Sequence, residues 1–117
     1  MTNPIVISLH LPGVASTGTF LLGIDGEGWN VPVACAVEEI VAQFGTPLNS
    51  LMSLQVRNLT KDTNSVFYFT GDGVKPYLEA TGSPLDFEEG DELSVYLDSL
   101  HDPEESGADI NFLVTIK

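Results

Sequence analysis

Four stretches of this chain alternate apolar and polar residues with a period of two. Over residues 5–11, Ile5, Ile7, Leu9 and Leu11 share one side, with Val6, Ser8 and His10 opposite. Over 51–59, Met52, Leu54 and Val56 alternate with Ser53, Gln55 and Arg57. Leu93, Val95 and Leu97 alternate with Ser94, Tyr96 and Asp98, and over 109–117 Ile110, Phe112, Val114 and Ile116 alternate with Asn111, Leu113 and Thr115. Successive side chains of a strand point to opposite sides, so this pattern specifies strands with one buried face. A fifth run over 66–70 is rich in aromatics (Phe67, Tyr68, Phe69), and residues 19–24 form a further β-rich run.

Turn residues separate these runs. Pro12-Gly13, Asp25-Gly26-Glu27-Gly28, Gly71-Asp72-Gly73 and the acidic turn Glu88-Glu89-Gly90-Asp91 punctuate the chain, and residues 60–64 read as a polar hairpin loop. Short strands at this spacing specify an all-β fold, a single antiparallel sandwich or barrel. With 117 residues the chain is one domain long. Residues 1–16 read as an N-terminal arm with the first strand, and 17–117 as the body of the sandwich.

One segment departs from the pattern. Val33, Val37, Ile40, Val41 and Phe44 fall at helical spacing, while alternation works over only part of the same stretch. A helix over 35–44 would turn the fold into a ubiquitin-like β-grasp, and an adaptor function would follow. The chain ends on a strand pattern and not a flexible Gly-Gly tail, which argues against a conjugated modifier.

Charge narrows the partners. There are 17 acidic and 4 basic side chains, a formal net charge of -13. Nucleic acid and anionic lipid are repelled by such a chain, so neither is an expected partner. The load is uneven: residues 79–109 hold 11 acidic side chains and no Lys or Arg. That region reads as a solvated, outward-facing surface, with the contact surface elsewhere. The longest apolar run is far below the roughly 20 residues that span a bilayer, and no basic leader opens the sequence, so the expected site of synthesis is the cytoplasm.

Candidate chemistry is sparse. His10 and His101 are single histidines without a visible Ser-His-Asp arrangement. Cys35 sits among Val33, Ala34, Ala36 and Val37 and reads as a small buried hydrophobe. The acidic loops could at most hold a structural Ca²⁺, although their spacing matches no EF-hand. Gly71-Asp72-Gly73 lacks the Gly-Lys-Ser/Thr of a phosphate loop. An enzyme, a metal site and a bound cofactor are therefore not expected.

The order of motifs resembles a known family. Gly18-Thr19 opens a strand, and Pro32-Val33-Ala34-Cys35-Ala36-Val37-Glu38-Glu39-Ile40-Val41-Ala42 leads into Gly45-Thr46-Pro47. Leu54-Gln55-Val56-Arg57-Asn58, the acidic turn Glu89-Gly90-Asp91, Leu93-Ser94-Val95-Tyr96-Leu97-Asp98 and Gly107-Ala108-Asp109 follow. This succession is similar to the small jelly-roll-type β-sandwich domains of tailed-bacteriophage structural proteins. The resemblance implies a long strand over 35–44 and no catalytic residues. It further implies a virion structural protein on the outer capsid surface, a decoration or cement protein that clamps junctions of the major capsid protein, assembled as a homotrimer. Pro4, Ile5, Phe67, Tyr68 and Phe69 are the candidate partner contacts. The alternative is a tail-associated receptor-binding module, with Trp29, Tyr68 and Tyr96 stacking on a host glycan or surface protein.

Overall fold

The computed structural model describes residues 4–14, 18–24, 26–46, 51–70, 77–100 and 108–117. Ten strands run through them: β1 (Ile5–Val14), β2 (Phe20–Leu22), β3 (Trp29–Asn30), β4 (Cys35–Thr46), β5 (Leu51–Asn58), β6 (Thr63–Thr70), β7 (Tyr77–Glu79), β8 (Leu85–Phe87), β9 (Glu92–Leu100) and β10 (Ala108–Ile116). None of the described residues is helical.

The strands form two antiparallel sheets. The first runs β1-β10-β4, with the short β7 and β8 both on the far side of β4. The second runs β6-β5-β9, with β2 and β3 on the far side of β9. The chain crosses between sheets after β1, β3, β4, β6, β8 and β9. This interleaving is the strand order of a jelly roll, two Greek keys folded into one sandwich.

Alternation decides what fills the space between the sheets. Leu9, Leu11, Ile40, Ala42, Phe44, Ile110, Phe112, Val114 and Ile116 face inward from the first sheet. Met52, Leu54, Val56, Phe67, Phe69, Leu93, Val95 and Leu97 meet them from the second. Phe69 joins the layers, its ring centroid 6.4 Å from Phe44 and 6.0 Å from Phe112, in edge-on and tilted geometries favoured by aromatic quadrupoles.

The helical spacing over 35–44 belongs to a strand with a bulge. Along β4, Glu39 pairs with Thr115 but Val37 pairs with Ile116, so Glu38 is an extra residue in the ladder. The insertion reverses the alternation. Val37 is buried before it, and Ile40, Ala42 and Phe44 after it. Two core positions therefore stand three apart, as on a helix. The bulge also resolves the adjacent acids: Glu39 is exposed, and half-buried Glu38 lies 3.8 Å from Lys117 Nζ. The β-grasp alternative is thereby replaced by the sandwich.

One side of the sandwich is stitched shut. Ala80 N–H donates to Ile40 of the first sheet, and Thr81 exchanges two backbone hydrogen bonds of 2.9 Å with Tyr68 of the second. Gly82 follows because a Cβ there would sit 2.7 Å from the Phe67 ring. On the opposite side, β1 pairs with β10 alone among the described residues.

Candidate interaction surface

The outward side of the first sheet is built in rows by its register. His10, Asn111, Gln43 and Tyr77 stand opposite one another across β1, β10, β4 and β7. The next row is Ser8, Leu113, Val41 and Glu79, and the next Val6, Thr115 and Glu39. Directly paired residues share a face, so the strands present one continuous surface. Val6, Tyr77 and Leu113 are exposed to 56%, 58% and 44%. Val41, Gln43, Tyr77, Asn111 and Leu113 line a shallow depression of about 190 Å³. His10 Nδ1 donates to Asn111 Oδ1 at 2.8 Å, which fixes the imidazole against an amide. Formal charge on these rows is confined to Glu39 and Glu79. Both stand at the ends of their rows, and in a chain of net charge -13 the positions inside them form an uncharged, partly apolar strip.

The second sheet presents a different surface. Tyr96 stacks on Phe20 with centroids 5.3 Å apart and donates its hydroxyl to Gln55 Oε1 at 2.5 Å. Burial first, and then the neighbouring Asp98 charge, push the Tyr96 phenol above its ordinary value. Ser53 and Ser99 share a 2.6 Å hydrogen bond, and exposed Tyr68 pairs with Ser53 on its other side.

The acidic turn has an internal purpose. Asp91 N–H donates to Glu88 O, and Gly90 takes φ +86°, a value that L side chains rarely adopt. The Asp91 carboxylate is almost fully buried. It accepts from Asn58 Nδ2 and from Glu88 N–H, each at 2.9 Å. The Asn58 bond first, and the Glu88 bond second, hold this carboxyl below the usual range. Asn58 in turn donates to Asp86 O at 3.2 Å and accepts from Lys61 N–H at 3.1 Å. Lys61 Nζ also pairs with Glu88 at 3.1 Å on the surface. Beside this network lies an open depression of about 350 Å³, lined by Lys61, Asp86, Glu88 and Asp91 among others. Among the described residues, no three His, Cys, Asp or Glu side chains come together to hold a metal ion.

The residues singled out in the sequence divide sharply. Pro4 and Ile5 are exposed at the start of β1, and Tyr68 is exposed on β6. Phe67 and Phe69 are buried to 1% and 0% exposure and cannot meet a partner. A strand turns alternate residues inward, so only Tyr68 of that aromatic trio faces out. Trp29 is exposed to 37% but pairs with Leu93, on the core side of β9, whereas Tyr96 lies on the outer side. The two therefore form no common stacking platform. Cys35 is half-buried, and burial raises its thiol pKa, which disfavours the reactive thiolate. His101, Asp25, residues 71–73 and the acids at 102, 104 and 105 lie outside the described residues, as do Met1, Thr2 and Asn3. The sequence reading missed the neutral outer rows, because Leu113, Val41 and Gln43 belong to separate strands and only register unites them.

No family model matches the chain, and no curated protein matches it.

Proposed function

We propose that this chain is a non-enzymatic virion structural protein, a bacteriophage capsid decoration or cement protein, which docks on the major capsid protein through the outer side of the β1-β10-β4-β7 sheet. The observation that carries this reading is the neutral surface of Val6, Ser8, His10, Asn111, Leu113, Val41 and Gln43 on an otherwise acidic molecule. Desolvating uncharged groups is far less costly than desolvating carboxylates. This strip is therefore where a partner covers the protein at least expense, with Glu39 and Glu79 at its margin and most of the acids left in solvent. The jelly-roll order agrees with the resemblance to phage structural domains. Cementing then follows as clamping: a subunit seated across a junction adds contact area to both sides and raises the barrier to their separation.

Purified protein added to capsids lacking decoration tests this directly. Co-sedimentation and a higher temperature of particle disruption are expected, and Leu113→Asp should abolish both while leaving the circular dichroism spectrum unchanged. Failure to bind, or recovery of the native protein only with tails, would overturn it. The receptor-binding alternative is less favoured because Trp29 lies on the other side of the sheet from Tyr68 and Tyr96, so its three stacking residues do not share one surface.

A further inference from the structure

Among the described residues, three of the four sheet edges are bridged, covered or broken up. Thr81 bonds to β6, β7 and β8 cover β4, and the edge beyond β9 is broken into the short strands β2 and β3. Natural sheets protect edges by such covering or shortness. Among the described residues, β1 is the exception: a ten-residue strand with one neighbour, β10. Ile5 lies on its core-facing side and is still 37% exposed, and Ile7 is only partly buried. Among the described residues, therefore, no strand pairs with the outer edge of β1, and Ile5 beside it remains exposed.

The sequence of this edge is complementary to itself. About Ser8, the core-side residues of 5–11 mirror one another, Ile7 with Leu9 and Ile5 with Leu11, while on the outer side uncharged Val6 stands opposite uncharged His10. Pro4 and Pro12 stand at equal distances on either side, and a proline cannot donate to a ladder. The same seven residues are thus available in both directions. Charge agrees as well. The first 24 residues contain no Asp, Glu, Lys or Arg, although the whole chain carries 21 such side chains. Two acidic molecules can approach along this edge without opposing carboxylates on the paired strands.

We propose that β1 pairs antiparallel with β1 of a second copy across a two-fold axis at Ser8, joining the two first sheets into one. The occupant is a second copy because the mirrored pattern satisfies both partners at once: Ile7 meets Leu9 and Ile5 meets Leu11 on the core side, while Val6 meets His10 outside. Such a contact is isologous, with each strand both donor and acceptor of the same ladder. It brings the neutral outer surfaces of the two copies side by side. The inference does not depend on the virion reading.

Light scattering on the purified full chain should give twice the 12.6 kDa chain mass as concentration rises. Ser8 is exposed, so Ser8→Asp should keep the fold, checked by circular dichroism. It should weaken the dimer about tenfold, because two carboxylates would face each other about 5 Å apart in a wet surface. In a Cys35→Ser background, Ser8→Cys should form a disulfide-linked dimer on oxidation. Val6→Cys alone should not, but should cross-link to a His10→Cys chain when the two are mixed. A monomer at every concentration, a trimeric mass, or equal cross-linking from Ser8→Cys and Val6→Cys would overturn the pairing. Loss of capsid binding with the dimer intact would count against the proposed function alone.

Discussion

Replacing Asn58 with alanine should destabilise the protein more than any other change at a polar side chain in the described structure. Asn58 ends β5 at 1% exposure and ties together three segments that share no strand pairing with one another. Its amide donates to Asp86 O of β8 and to the Asp91 carboxylate, and its oxygen accepts Lys61 N–H of the β5–β6 turn. The two neutral bonds contribute about 1 kcal/mol each, and the bond to a carboxylate about 2 kcal/mol. Water reaches part of this rim after truncation, and Asp91 keeps its bond from Glu88 N–H. We therefore expect a net loss of about 3 kcal/mol, or roughly 10 °C in Tm for a domain of this length. Urea unfolding followed by Trp29 fluorescence and far-ultraviolet dichroism measures it. The midpoint should fall with the denaturant slope unchanged, since the same surface is exposed on unfolding. A loss below about 1 kcal/mol would refute the claim that this amide holds the acidic turn.

Two further experiments address the acidic turn and the β4 bulge. Asp91 has a folded pKa below its unfolded value, so its contribution is complete above about pH 4 and disappears as pH falls through the folded pKa. The stability gap between the native chain and Asp91→Asn should accordingly shrink below about pH 4, measured as unfolding midpoints across pH; a constant gap would contradict the assignment. Deleting Glu38 should remove the bulge and restore plain alternation along β4, leaving a folded protein weakened by about 2 kcal/mol or less. Deleting Gln43 should instead turn Phe44 from core to solvent and prevent folding, and dichroism of the two variants decides between these expectations.

The faces of the long strands were legible residue by residue. Leu9 and Leu11, Met52, Leu54 and Val56, Leu93, Val95 and Leu97, and Ile110, Phe112, Val114 and Ile116 are buried as their alternation required. Period two is a property of the backbone itself, so it needs no partner to be read. The hairpin between β5 and β6 and the acidic turn before β9 were equally plain, since their turn chemistry is local. The candidate contacts Phe67 and Phe69 are buried by the same rule: adjacent strand residues point opposite ways, so an aromatic run cannot all face a partner.

Tertiary structure decided what depends on a neighbour. The sequence by itself determined that this chain makes β-strands, which side of most of them is apolar, and that its acids crowd into the later part of the chain. It could not place the extra residue Glu38, because a bulge exists only relative to the ladder of β10 opposite it. Val37 and Ile40 consequently looked helical until that pairing was known. Nor could it join His10, Asn111, Gln43 and Tyr77 into one row, or leave β1 as the open edge. Those depend on which strands lie side by side and in what register, an outcome set by how the two sheets close over a shared core.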